Sequence, residues 1–72
     1  MNIELRDILT IEDKEYVVAS KMVYKGERYI YLVNMVDNAD VRFCLEEDGR
    51  IFEVFDQEIV DALIIQIAEN LQ

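Results

Sequence analysis

The Asp48-Gly49 pair, set between two alternating apolar runs, constrains the fold of this chain more than any other feature. Asp-Gly favours a two-residue type I′ turn, because both central positions of that turn need positive φ. Such a turn places Glu47 opposite Arg50. One face of the hairpin then carries Val41, Phe43, Leu45, Phe52 and Val54, and the other carries Arg42, Cys44, Glu46 and Glu53. A one-residue slip would destroy this sorting, so the sequence predicts both the hairpin and its register.

The same alternation continues upstream and predicts a meander of five antiparallel strands. No proline interrupts it. Turns are expected at Asp13-Lys14, through Lys25-Gly26-Glu27 and at Asp37-Asn38-Ala39, where apolar runs give way to polar residues or glycine. The predicted strands span residues 7–12, 15–24, 28–36, 40–46 and 51–55.

After Phe55 the spacing of apolar residues changes from strand-like to helical. The apolar positions are Ile59, Val60, Leu63, Ile64, Ile67, Ala68 and Leu71. Asp56 is the expected N-cap, and Glu58 suits the positive end of a helix. We therefore predict a helix over residues 57–71, packed on one face of the sheet in a single α+β domain that covers residues 1–72.

The charge of the chain limits the partners that it can bind. Sixteen Asp and Glu against seven Lys and Arg give a formal charge of −9. Such a chain is repelled by nucleic acid and by anionic membranes, and it favours basic surfaces. The charge also serves simply to keep a small domain soluble, so both interpretations stay open. A lone cysteine, no signal-like apolar start and no membrane-length apolar run lead us to expect a cytoplasmic protein.

The sequence lacks the residues that most catalytic and metal-binding sites need. There is no histidine, Ser20 is the only serine and Cys44 is the only cysteine. A Ser–His or Cys–His nucleophile pair cannot form, and a zinc site lacks ligands. Aligning Gly49 with the invariant glycine of an EF-hand loop puts Phe55 where the closing glutamate belongs. We expect no enzyme activity, no catalytic residue, no cofactor and no metal site.

Both faces of the first three strands carry too many apolar side chains for a solvated surface. With two-residue loops, one face carries Leu9, Ile11, Tyr16, Val18, Met22, Tyr24, Tyr29, Tyr31, Val33 and Met35. The opposite face carries Ile8, Thr10, Val17, Ala19, Lys21, Val23, Arg28, Ile30, Leu32 and Asn34. One helix covers one face, so the other must curl toward a small barrel, pair with a second copy or bind a partner. A three-residue Lys25-Gly26-Glu27 loop would regroup the third strand.

Two groups of side chains are candidates for binding a protein with a basic surface. Tyr and Met are enriched at interfaces, which gives an aromatic set of Tyr16, Met22, Tyr24, Tyr29, Tyr31 and Met35. Carboxylates that steer a basic partner give an acidic set of Glu47, Asp48, Glu53, Asp56 and Glu58. Each group also has a local structural explanation, as core-edge tyrosines or as a turn, a strand exterior and a helix start.

Two runs, "ILTIEDKEYVVASKMVYKGERYIYLVNM" and "EEDGRIFEVFDQEIVDAL", with a short end helix, resemble the YrzB-like family of small acidic bacterial proteins of unknown function. The "YKGERYIYLV" segment is similar to a family hairpin in which a lysine- or glycine-rich turn precedes an aromatic and aliphatic run. The chain departs from the family in lacking proline and any long acidic stretch. The resemblance implies the fold, and it transfers no catalytic residues because the family has no established activity.

The sequence is compatible with three functions. The leading one is a non-catalytic module that binds another protein in the cytoplasm. The second is a phage-type inhibitor of a nucleic-acid enzyme, such as a CRISPR or other host nuclease, whose carboxylates take the places of phosphates in the host cytoplasm. The third is a homodimeric structural protein that uses the spare sheet face or the wide apolar stripe of the helix.

Overall fold

The computed structural model describes residues 3–70 of the chain. Its elements are β1 (Ile8–Ile11), β2 (Lys14–Tyr24), β3 (Glu27–Asn34), β4 (Val41–Glu47), β5 (Arg50–Glu53) and α1 (Gln57–Asn70). The strands form one antiparallel sheet in the order β1-β2-β3-β4-β5. The predicted α+β meander is confirmed, with strand bounds close to those expected from the alternation. The predicted helix end at residue 71 lies outside the described residues.

Each tight hairpin turns through two residues with positive φ, as type I′ turns require. The loops are Glu12-Asp13 (φ 51° and 68°), Lys25-Gly26 (φ 50° and 80°) and Asp48-Gly49 (φ 53° and 79°). The last hairpin has the predicted register, with Glu47 opposite Arg50. The first turn comes one residue earlier than predicted, because Ile11 pairs with Lys14.

A β-bulge at Ala19 divides β2 into two parts that face opposite ways. Val18 pairs with Leu32 and Ser20 pairs with Tyr31, so the residue between them has no partner on β3. An extra residue reverses the side to which the following side chains point. Side chains before the bulge therefore share a face with Leu32, and those after it share a face with Tyr31.

This bulge corrects the prediction that the tyrosines and methionines share one face. Tyr16 belongs to a cluster on one face, while Met22, Tyr24, Tyr29 and Tyr31 belong to a cluster on the other. The three-residue loop considered as an alternative does not form, because Tyr24 pairs directly with Glu27. The faces are mixed by the bulge rather than by the loop.

The face that contains Tyr16, called here the inner face, is buried by the curl of the sheet. Its buried cluster is Ile3, Tyr16, Val18, Ile30, Leu32 and Cys44, against which Leu9, Ile11 and Ile51 pack. Residues from β1, from β5 and from the segment before β1 thus cover the centre of the sheet. Of the three alternatives for the face without a helix, the structure adopts the curled sheet.

The opposite face, called here the helix-bearing face, packs against α1. The buried residues there are Met22, Tyr29, Phe43 and Leu63, and around them lie Tyr24, Tyr31, Leu45, Val54, Ile59, Val60 and Ile67. Asp56 caps the helix as predicted, because its Oδ1 accepts a hydrogen bond from the Glu58 amide at 3.0 Å. The cap therefore sets the residue at which α1 begins after β5.

The helix runs from the end of β5 to the second part of β2. There the Gln66 side-chain amide donates to the Val23 carbonyl oxygen at 3.2 Å. This path covers one side of the helix-bearing face and leaves the strand ends near the β1–β2 turn uncovered. Within residues 3–70, no helix has the length and apolar character needed to cross a membrane.

Candidate interaction surface

Four β-branched side chains form a row across the uncovered part of the sheet. Ile8 pairs with Val17, Val17 pairs with Val33, and Val33 pairs with Val41. Directly paired residues project to the same face, so these side chains are lateral neighbours on four strands. Ile8 is 51% exposed and Val41 is 40% exposed, while Val17 and Val33 are half-buried. We call these four residues the cross-strand row.

The row lies on the helix-bearing face. Val33 follows Tyr31 by two residues on β3, and successive side chains of a strand alternate between faces. Tyr31 packs in the cluster under α1. The row therefore continues the core of that face outward, beyond the part that the helix covers.

A recess borders the row where α1 meets β4. It is lined by Tyr31, Val41, Phe43, Ile64 and Ile67, and its volume is about 180 Å³. The rings of Tyr31 and Phe43 stack with their centroids 4.9 Å apart, which gives the recess an aromatic wall. An apolar cavity of about 150 Å³ holds a benzene molecule, so the recess has room for one phenyl-sized side chain.

The basic side chains are distributed unevenly between the two sides of the domain. On the described strands, the bases that project from the inner face are Lys14, Lys21, Arg28 and Arg42. Arg50 is the only base on the helix-bearing face of those strands. The described helix carries Glu58, Asp61 and Glu69 and no Lys or Arg. Lys25 of the β2–β3 turn lies over the Tyr24 ring on the same side. The described bases of this side are thus fewer than its carboxylates, and the side that presents the cross-strand row is acidic.

Two carboxylates border the apolar surface, Glu15 on the sheet and Asp61 on the helix. Glu15 precedes Val17 by two residues on β2, so it projects from the same face one position nearer the β1–β2 turn. Asp61 precedes Ile64 by three residues on α1, which places both on one side of the helix. The Asp61 side chain accepts a hydrogen bond from the Gln57 amide at 2.8 Å. Apolar row and recess thus have an acidic rim on sheet and helix alike.

A hydrogen-bonded polar network occupies one end of the inner face. The Tyr16 hydroxyl donates to Asp40 Oδ2 at 2.7 Å, and the Asn34 amide donates to the same oxygen at 3.0 Å. These bonds, Tyr16 first, hold the pKa of Asp40 below its usual value, while the bond to Asp40 raises the pKa of Tyr16. Arg42 forms an ion pair with Glu53 at 2.9 Å and lies 3.7 Å from Asp40. Since its members satisfy one another, the network has a structural role.

Cys44 is the only thiol of the chain, and it lies in the inner-face cluster. Burial raises the pKa of this thiol to about 11. The sulfur is therefore protonated near neutral pH, and a protonated thiol is a poor nucleophile.

The carboxylates do not gather into a metal-binding arrangement in residues 3–70. No group of three or more His, Cys, Asp or Glu side chains suited to an ion occurs there. Glu46 is buried on the inner face, whereas Glu47 and Asp48 are exposed at the turn. Neighbours in the sequence are thus separated by the pleat of the strand.

Most residues of the aromatic set predicted from the sequence belong to the core. Tyr16, Met22 and Tyr29 are buried, Tyr24 and Tyr31 are half-buried under the helix, and Met35 is exposed beyond β3. Tyr31 is the member of this set that lines the recess. Partner binding by the others stays a prediction, and the buried ones present little surface in this structure.

The structure places members of the acidic set at both ends of β5 and on the inner face, and partner binding by them stays a prediction. Glu47 and Asp48 lie at the β4–β5 turn, whereas Asp56 and Glu58 begin α1 beyond the opposite end of β5. Glu53 pairs across the strands with Cys44 and so projects from the inner face.

The cross-strand row was not among the residues singled out from the sequence. Uninterrupted alternation puts Val17 and Val33 on opposite faces, and the bulge at Ala19 brings them together. The sequence feature that could have indicated the row is the high content of β-branched residues at strand positions outside the helix-facing core.

Comparisons with models of protein families, with curated proteins and with solved structures found no match. The resemblance to the YrzB-like family therefore stays a prediction.

Proposed function

We propose that this chain is a non-catalytic module that binds another protein through the cross-strand row and the adjoining recess. The observation that carries the proposal is the row, in which Ile8 and Val41 are exposed side chains in lateral register with two further valines. A contiguous apolar surface with a polar rim is typical of interaction sites. A partner that binds only the folded chain also adds to the stability of a domain this small.

The reactive groups of the chain favour binding over catalysis. Cys44 is buried and protonated, and Asp40 and Glu53 are held in the polar network. Asp40 lines a cleft of about 410 Å³, but its carboxylate accepts hydrogen bonds from Tyr16 and Asn34 that lower its pKa, which makes it a weak general base. A single buried thiol also suits a reducing compartment, and we propose the cytoplasm.

The other two functions have less support from the geometry. Mimicry of nucleic acid depends on carboxylates in one ridge, and Glu47 and Asp48 are distant from Asp56 and Glu58. A homodimer through the row brings together two chains that each carry a formal charge of −9, which opposes association at low salt. We therefore favour a partner of different chemistry.

The proposal is tested by capture of proteins from the native host with matched variants of the chain as bait. The surface variant Val41→Ser/Ile64→Ser removes apolar groups that are 40% and 49% exposed at the recess. The control variant Val23→Ser/Ile65→Ser removes the same groups at 62% and 61% exposed positions outside it. Quantitative mass spectrometry compares what each bait retains, and circular dichroism establishes that both variants are folded.

We expect a protein that wild type and control retain equally and that the surface variant loses by about tenfold or more. A partner whose retention is the same on all three baits would overturn the proposal, as would one that only the control loses. Retention of no protein above an unrelated acidic bait would overturn it as well.

A further inference from the structure

Resting on the proposed function, we propose that the partner docks as a cationic amphipathic helix, which lies along the cross-strand row and inserts one apolar side chain into the recess. The two surfaces adjoin, because Val41 belongs to the row and also lines the recess. One continuous apolar stripe therefore leads into one deeper site. A helix laid in a groove, with an anchoring side chain, is a recurring mode of recognition that fits this shape.

The dimensions of the row match a short helix. Four neighbouring strands span three gaps of about 4.8 Å, or roughly 14 Å in all. An α-helix rises about 1.5 Å per residue, so roughly nine residues cover this distance. Apolar residues at positions i, i+3 or i+4, and i+7 then contact the row, and one of them reaches the recess.

The charge around the surface indicates the charge that the polar face of the partner carries. Glu15 borders the row on the sheet, and Asp61 borders the recess on α1. The described helix contributes no Lys or Arg to balance them, and Arg50 is the single base on that face of the described strands. Lys and Arg that flank an apolar stripe complement this rim and speed association.

A second copy of the chain fits the same surface less well. An isologous contact sets the same patch of each copy against the other. Glu15 and Asp61 of one chain would then lie near the same carboxylates of its neighbour. Like charges at the edge of an interface weaken binding, and a net charge of −9 on each chain adds to the repulsion.

The test uses three synthetic peptides of about fifteen residues as probes. The first has Leu and Phe at i, i+3, i+4 and i+7 and Lys at most other positions. The second has the same composition in scrambled order, and the third has Glu in place of each Lys. Fluorescence anisotropy measures the dissociation constant of each peptide, and NMR chemical shifts of the labelled protein locate the bound surface.

Two pairs of protein variants separate the apolar and the charged contributions. Val41→Ser/Ile64→Ser is compared with Val23→Ser/Ile65→Ser, as above. Glu15→Gln/Asp61→Asn removes two negative charges at the rim. Glu47→Gln/Asp48→Asn removes two negative charges at the β4–β5 turn. Within each pair, the second variant controls for the general loss of apolar surface or of net charge.

We expect the first peptide to bind at least about tenfold more tightly than the other two. The surface variant weakens it by about tenfold, and the rim variant weakens it by a few-fold, with each control near wild type. Binding weakens as salt rises, because the Debye length falls from about 10 Å at 0.1 M to about 3 Å at 1 M.

Several outcomes would overturn the inference. Equal binding of the scrambled peptide would mean that the protein attracts any polycation. Equal losses from surface and control variants would place the helix elsewhere. Self-association at micromolar concentration that the surface variant abolishes would identify a second copy as the occupant.

These outcomes are distinguishable from failure of the proposed function. A host protein that is lost only by the surface variant, together with no preference for the first peptide, leaves the binding module intact and rejects only the cationic helix. Retention of host proteins independent of the surface rejects the module itself, whatever the peptides do.

Discussion

At the residue scale, the first hairpin is the least well adapted of the three tight turns. Glu12 and Asp13 both adopt positive φ, and neither is a glycine. The other two loops place a glycine second, at Gly26 and Gly49. L-residues pay a steric cost in this conformation, smaller for Asn and Asp than for others, so the β1–β2 turn, with two such residues, stores more strain than the two turns in which the second residue is glycine.

We predict that Asp13→Gly stabilises the protein by about 0.5–1 kcal/mol, a few degrees in melting temperature, because glycine adopts φ near 68° freely. Gly26→Ala serves as the opposite change. No heavy atom lies within 4 Å of the position of its added Cβ, so its cost of about 1 kcal/mol reports backbone conformation alone. Thermal melts check both, and a destabilised Asp13→Gly would mean that the side chain has a role of its own.

A second residue-scale prediction concerns the bond between Tyr16 and Asp40. Tyr16→Phe keeps the buried ring and removes the hydroxyl that donates at 2.7 Å. The folded-state pKa of Asp40 lies below its usual value of 3.8, so the stability it contributes is present above that value. This contribution is lost as the pH falls through the folded-state pKa.

We therefore expect Tyr16→Phe to melt below wild type at pH 7 and the gap to narrow toward pH 2. Melts across this range check the prediction. Tyr31→Phe is the control, because it removes a tyrosine hydroxyl at the recess on the other face of the sheet, away from Asp40. A gap that is constant with pH would show that lost packing, rather than the charged hydrogen bond, explains the effect.

At the scale of elements, the bulge in β2 is what allows one strand to serve two cores. Before it, Tyr16 and Val18 fill the inner face; after it, Met22 packs under α1. A regular strand of this length would send one of these groups to the wrong face. The bulged residue, Ala19, is itself exposed, so its position in the strand matters more than its side chain.

Deletion of Ala19 should therefore prevent folding to the native state. Without the extra residue, either Tyr16 and Val18 or Met22 must leave its core, and each fully buried apolar side chain contributes about 2 kcal/mol or more. Ala19→Ser keeps the residue count and should shift stability by less than about 1 kcal/mol. Near-ultraviolet circular dichroism and thermal melts compare the two, and a native-like deletion variant would show that the sheet accepts either register.

At the scale of the whole molecule, the curl of the sheet makes the domain self-sufficient on one side and incomplete on the other. The inner face encloses residues with almost no exposure, such as Leu32 and Cys44. The helix-bearing face leaves the cross-strand row open. The enclosed core and the proposed binding surface thus lie on opposite faces, so the folded chain presents an apolar surface without exposing its central core.

Cys44 reports on this arrangement, because it lies in the enclosed cluster with its pKa raised to about 11. We predict that a thiol reagent at pH 8 reacts with the native chain orders of magnitude more slowly than with the chain in guanidinium. The rate should rise with denaturant in step with unfolding. A native rate close to the unfolded rate would mean that the sheet opens readily.

The sequence by itself determined the local features of this protein. The Asp48-Gly49 turn and the alternation around it set the register of the last hairpin, and Asp56 with the helical spacing after it set the start of α1. The absence of histidine and the acidic balance limited the chemistry. These conclusions hold because turn conformation, strand pleat and helix capping depend on residues a few positions apart.

Only the tertiary structure decided which side chains form the candidate surface. The bulge at Ala19 puts Val17 and Val33 on one face, and the path of α1 leaves them uncovered. A bulge forms where packing on both faces of the sheet outweighs one lost pair of strand hydrogen bonds. That balance involves residues far apart in the chain, so a local pattern does not contain it.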